Sequence, residues 1–155
     1  MNNYDFNIID DDKRLDFLPN NFTSDYFASF ENLIFSIADQ YLYFVSRDRT
    51  EKRIYSGGYW NFLSNGNDGI LVPDQPESMS YVLSSPGWNE DLISDNPVVV
   101  GIALTAFALN HFIGMLNNSY KDREAQDMYH KYHALCDLFQ YLDDNDRAFV
   151  FKFLD

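Results

Sequence analysis

From residue 22 to residue 44, apolar side chains recur every three or four positions: Phe22, Tyr26, Phe27, Phe30, Leu33, Ile34, Ile37, Tyr41 and Phe44. That spacing gathers them on one face of a helix, which Thr23 or Ser24 is placed to cap. Tyr43, Phe44 and Val45 favour strand geometry, so the end of this helix stays open. Ahead of it, residues 1–21 are acidic and aperiodic up to Phe17, Leu18 and Pro19. An extended segment is expected there, because the residue before proline avoids the helical region. After residue 56 the period changes to two. Trp60 and Phe62 fall on one face of a strand, with Tyr59, Asn61 and Leu63 on the other. Ser64-Asn65-Gly66-Asn67-Asp68-Gly69 is dense turn chemistry, Ile70-Leu71-Val72 returns, and Met79, Tyr81 and Leu83 alternate after a Pro73–Pro76 break. These runs predict an antiparallel meander of three strands, then a loop over residues 84–96.

Asn96 followed by Pro97 marks a helix start, with proline at a position whose N–H has no partner in any case. The run PVVVGIALTAFALNHFIGML, residues 97–116, carries no formal charge and is long enough to span a bilayer. Asn110 and His111 interrupt it, and neither flank has the basic cluster that sets membrane orientation. Two other segments each have one apolar face to cover, so a central buried helix is expected and no membrane partner. Residues 121–142 repeat the three-four spacing through Ala125, Met128, Tyr129, Tyr132, Leu135, Cys136, Phe139 and Leu142. Asp143-Asp144-Asn145 stops that helix, and residues 147–154 suit a short last one. The fold class expected is α+β: a single compact domain of about three main helices packed on a small antiparallel β-meander. Residues 1–13 are read as a poorly ordered acidic N-terminus and residues 14–155 as the domain.

Charge narrows the function. The 155 residues hold 11 Lys+Arg against 24 Asp+Glu, a formal net charge of −13. Residues 54–120 contain no Lys or Arg at all, whereas residues 46–53 carry a local basic excess, read as a solvated loop or hairpin. Nucleic-acid binding draws on cations that neutralise phosphates, so no direct nucleic-acid binding is expected. The single cysteine, Cys136, rules out an internal disulfide, and the first residues lack a basic, then apolar, signal. A cytoplasmic protein is expected.

His130 and His133 lie three apart on one helix near Asp127 and Asp137, which raises a metal site or a small metal-dependent enzyme as an alternative. Their side of the helix is polar, and a solvated face accounts for them. His111 is read as a satisfied core histidine, and Cys136 as an inert thiol among apolar neighbours. Neither a nucleophile elbow, a P-loop, nor a dinucleotide fingerprint occurs. The expectation is therefore no catalytic residue, no metal and no cofactor. What core packing does not absorb is aromatic: Tyr59 and Trp60 on a short strand, and Trp88 in a loop. With the carboxylates Asp68, Asp74, Glu90 and Asp91, they form the candidate protein-interaction surface.

Several blocks stand in a meaningful order: Arg14-x-x-Phe17-Leu18-Pro19, then Gly57-Gly58-Tyr59-Trp60-Asn61-Phe62 with Leu63-Ser64-Asn65-Gly66, then Pro73-Asp74, then Tyr132-His133-Ala134-Leu135. In these blocks the chain resembles the ArdB/KlcA antirestriction family, from about Arg14 to the C-terminus. It departs from that family in a longer connection, SRDRTEKRIY, before Gly57, and in its first 13 residues. The resemblance implies a small cytoplasmic bacterial protein carried by plasmids and other mobile elements. It implies an inhibitor, not an enzyme, protecting incoming plasmid or phage DNA from type I restriction endonucleases. The partner would be the type I restriction-modification enzyme, met directly or indirectly, by a monomer or weak dimer. An acidic DNA mimic is the alternative mechanism. Against it, residues 54–120 supply only six acids, too sparse for a stripe of phosphate-like charge.

Overall fold

The computed structural model describes residues 5–87 and 89–155, and among these lie five α-helices and two antiparallel sheets. Strand β1 (Asn7–Ile8) leads through a 3-10 turn at Asp11–Lys13 into helix α1 (Arg14–Asn21) and then α2 (Phe27–Tyr41). Six strands follow: β2 (Leu42–Ser46), β3 (Lys52–Ile54), β4 (Trp60–Ser64), β5 (Gly69–Pro73), β6 (Met79–Ser84) and β7 (Asp91–Ser94). Helix α3 (Pro97–Asn118), α4 (Asp122–Asp137), a 3-10 turn at Leu138–Tyr141 and α5 (Asp144–Leu154) complete the chain.

The apolar run forms α3, the axis of the molecule. Asn96 caps it by accepting the Val98 N–H at 3.0 Å, with Pro97 at the first helical position. Val99 through Ala106 are buried all round, held against β5, α2, α4 and α5. Gly101 lets β5 approach: a Cβ there would lie 3.0 Å from Ile70 Cδ1. Four residues on, the Thr105 hydroxyl accepts the Leu71 N–H of β5 at 3.0 Å, satisfying a buried backbone donor from outside the sheet. Coverage is less complete than the uncharged run suggests. Asn110, His111 and Met115 face solvent, so the second half of α3 is an ordinary one-faced helix.

The expected meander is divided between two sheets. β4 and β5 do form the hairpin, in register Trp60↔Pro73 to Ser64↔Gly69, with β1 added on the far side of β4. The third strand leaves it. β6 pairs instead with β2, in a four-stranded sheet of order β3-β2-β6-β7. Tyr43-Phe44-Val45 thus ends α2 at Tyr41 and becomes the strand that competes for β6. The Tyr81 hydroxyl donates to the Pro73 carbonyl at 2.6 Å and ties the two sheets together at the break. Burial pushes this phenol's pKa well above the usual range, with Asp74 adding to the effect.

Other differences are local. The segment around Pro19 is the helix α1, not an extended stretch. Phe17 stacks on Phe62 at 4.8 Å and Leu18 is buried beside it, so packing overrides the local preference of the residue before proline. Thr23 does not cap α2 directly; at φ 64° its Oγ1 accepts the Tyr26 N–H, and the helix begins one residue later. The loop expected over 84–96 contains β7, whose Leu92 fills the core while Asp91 and Ile93 point outward. In α4, Tyr129 of the expected apolar set faces solvent at 47% exposure. The basic segment is the β2–β3 hairpin, and its short charged edge strand discourages pairing with another chain.

Candidate interaction surface

The structure distributes the expected surface residues over separate places. Trp60 is buried, at 4% exposure: its ring packs on Phe35 at 5.0 Å and its indole N–H donates to the Tyr55 hydroxyl at 2.8 Å. It is a core residue, because Phe35 of α2 covers its face of β4. Asp68 is also buried. It sits in the β4–β5 turn, the opposite end of the hairpin from Trp60, and desolvation raises its carboxyl pKa, with Lys131 acting in the other direction. Glu90 pairs with Lys152 at 3.0 Å. Asp91 accepts from the Tyr43 hydroxyl at 2.6 Å and from Ser84 at 3.3 Å. Tyr43 lies under the Lys52 ammonium at 4.1 Å; burial, then Asp91, push its phenol pKa up to about 12. Trp88 lies outside the described residues.

What remains is a coherent corner around Tyr59. The Tyr59 ring is 53% exposed, at the start of β4, while its backbone carbonyl accepts the Asp74 N–H at 2.9 Å. Asp74 is exposed and receives the Asn61 side-chain amide at 2.6 Å. Gly57 and Gly58 precede Tyr59 with φ of 90° and 116°, a backbone region only glycine enters freely. The loop borders a groove of about 370 Å³ between the sheets, walled by Arg53 and Tyr55 on one side and by Tyr59, Asp74 and Gln75 on the other. Beside it the Arg14 guanidinium carbon lies 4.6 Å from the Tyr59 ring centroid and 4.1 Å from that of Phe62. Arg14 Nη2 donates to the Trp60 carbonyl at 3.1 Å, bringing α1 onto β4. Residue-by-residue reasoning missed Arg14. Its one signal was its place at the head of the Arg14-x-x-Phe17 block.

The imidazoles do not converge. His130 and His133 are exposed on α4, one near Gln126 at 3.3 Å, the other against Tyr129 with ring centroids 4.3 Å apart. His111, expected in the core, is exposed and stacks on Phe107 at 4.5 Å. Among the described residues no three His, Cys, Asp or Glu side chains are grouped to hold a metal. Cys136 is half-buried in α4, and burial raises its thiol pKa, a poor setting for a nucleophile.

Together these features describe an α+β protein whose distinctive chemistry is a surface of aromatic and charged groups. The same fold occurs in a solved structure of the KlcA and ArdB proteins, described as showing a novel fold and antirestriction activity against type I DNA restriction systems in vivo but not in vitro. The match has a TM-score of 0.70 at 19% identity and covers 97% of this chain and 94% of that one. The chain therefore has the ArdB/KlcA fold. Comparison with family models finds no match, and comparison with curated proteins finds none either.

Proposed function

We propose that this protein is an antirestriction protein of the ArdB/KlcA type. It protects incoming plasmid or phage DNA from type I restriction endonucleases through a protein surface, not by catalysis. The observation that carries this reading is the fold shared over 97% of the chain with KlcA and ArdB, in a sequence whose GGYWNF and YHAL blocks resemble that family. The domain responsible is residues 14–155, with β1 (Asn7–Ile8) completing its sheet, acting in the bacterial cytoplasm without a cofactor, as a monomer or weak dimer. Its partner is the type I restriction-modification enzyme, reached directly or through another component.

Acidic DNA mimicry fits less well. A mimic needs carboxylates free and regularly spaced, and here Asp68 is buried, Glu90 is paired with Lys152 and Asp91 is engaged by Tyr43. A mimic would also inhibit purified enzyme, whereas the structural relative acts in vivo but not in vitro. The surface we favour is the Tyr59 corner with Asp74. The test is phage plating: cells of a type I restricting strain expressing the protein should plate unmodified phage at higher efficiency, with no change in a non-restricting strain. The purified protein should leave DNA cleavage by purified type I enzyme unchanged. Salt-sensitive competition with DNA in that second assay would establish mimicry instead.

A further inference from the structure

Arg14 holds an unused donor. Its Nη1 is buried and has no hydrogen-bond partner among the described residues, while Nη2 is satisfied by the Trp60 carbonyl. The rings of Phe62 and Tyr59 attract the guanidinium charge from either side but offer no strong directed acceptor. The ion pairs among the described residues join Arg147 to Asp144 and Lys152 to Glu90, leaving Arg14 without a carboxylate in a chain that has 24. The two rings differ in freedom. Phe62 is 7% exposed and locked on Phe17, whereas Tyr59 is 53% exposed and follows two glycines with open space at their Cβ positions.

We propose that Arg14 is a latent carboxylate-binding site, covered here by Tyr59, which receives an Asp or Glu side chain of a partner protein when the Tyr59 ring swings outward. A guanidinium presents parallel N–H groups that match a carboxylate in two-point contact. Arg53 lines the adjoining groove and adds a second cation to this corner. This deepens the proposed function, since it rests on the Tyr59 corner acting by contact with a protein.

The test follows the Arg14 Nε–Hε resonance of the ¹⁵N-labelled full-length protein while N-acetyl-glutamate amide is added. A saturable shift is expected, about fivefold tighter in Tyr59→Ala, where no cation–π contact has to be surrendered first. Arg14→Lys, checked for folding by circular dichroism, keeps the charge but not the fork. Ligand-induced shifts of the Gly57 and Gly58 amides should disappear in it. Inorganic phosphate at equal ionic strength should bind more weakly than the carboxylate. An Arg14 resonance that never moves in either protein overturns the proposal, as does tighter binding of phosphate or undiminished glycine shifts in Arg14→Lys. Restriction plays no part in this titration. Saturable binding with no effect on plating would sink the antirestriction reading alone; silence in the titration with full protection would sink the carboxylate site alone.

Discussion

Two helix–sheet junctions in this molecule are finished to different degrees. Where α3 meets β5, Gly101 admits the strand, Thr105 accepts its Leu71 N–H, and every neighbouring side chain is buried. Where α1 meets β4, a guanidinium bridges helix and strand beside the Phe17–Phe62 stack, one of its nitrogens has no partner among the described residues, and the covering tyrosine is half in water. Among the described residues the first junction leaves no buried side-chain nitrogen or oxygen without a partner, so its chemistry is spent on stability. The second keeps a strong donor unspent beneath a half-exposed ring, and an unsatisfied buried donor costs about 1–3 kcal/mol that a partner could recover. On the proposed function, the contrast separates the part of the protein that holds the fold from the part that meets a partner.

The sharpest way to break the contrast is to damage each side and compare. Phe30 is fully buried, stacked on Phe22 at 4.0 Å and near Phe112 at 5.5 Å, where α2 closes over α3. Phe30→Ala should cost about 3–5 kcal/mol in urea denaturation, enough to threaten folding itself. Thr105→Val keeps the volume but strands the Leu71 N–H, with an expected loss of about 1–3 kcal/mol by the same measurement. Tyr59→Ala should cost no more than about 1 kcal/mol, the scale of an exposed cation–π contact, yet abolish protection in phage plating, because the exposed ring is itself a contact for the partner even though a free carboxylate reaches Arg14 more readily without it. A Tyr59→Ala protein that is stable and fully protective would show that the corner is not the active surface.

The smallest effect concerns Asp68. Its folded pKa is raised by burial, so between the unfolded value of about 3.9 and the folded value the native state holds the extra proton. Stability from this group therefore falls as pH rises through the folded pKa, and the ionised carboxylate opposes folding at neutral pH. Asp68→Asn is expected to raise the melting temperature at pH 7, with the gain shrinking towards pH 4. A loss at pH 7 that fades on acidification would mean that Lys131 dominates over burial.

Much of this architecture was legible in the residue pattern, and the gaps have physical causes. Asn96-Pro97 and the uncharged run announce α3, and the Asn/Gly-rich turn announces the β4–β5 hairpin, because both signals are local. The partner of β6 is a matter of competition between strands distant in sequence. Tyr43-Phe44-Val45 could end a helix or start a sheet, and only the packed chain decides. β7 offers one buried side chain, Leu92, in four residues, too little for a period. At the surface, Tyr59 could be singled out because large aromatics occupied both faces of its strand. The same reasoning placed Trp60 outside, since one sequence cannot say that α1 and α2 cover the second face. Arg14 was invisible as a site because its meaning lies in Tyr59 and Phe62, brought to it only by folding.

The central claim is protection against type I restriction, and one number tests it: the efficiency of plating of unmodified phage on a type I restricting strain, with and without the protein. A large rise is expected with the wild-type chain, none in a non-restricting host, and loss of the rise with Arg14→Gln. Equal plating with and without the protein, in cells that contain it folded, would contradict it.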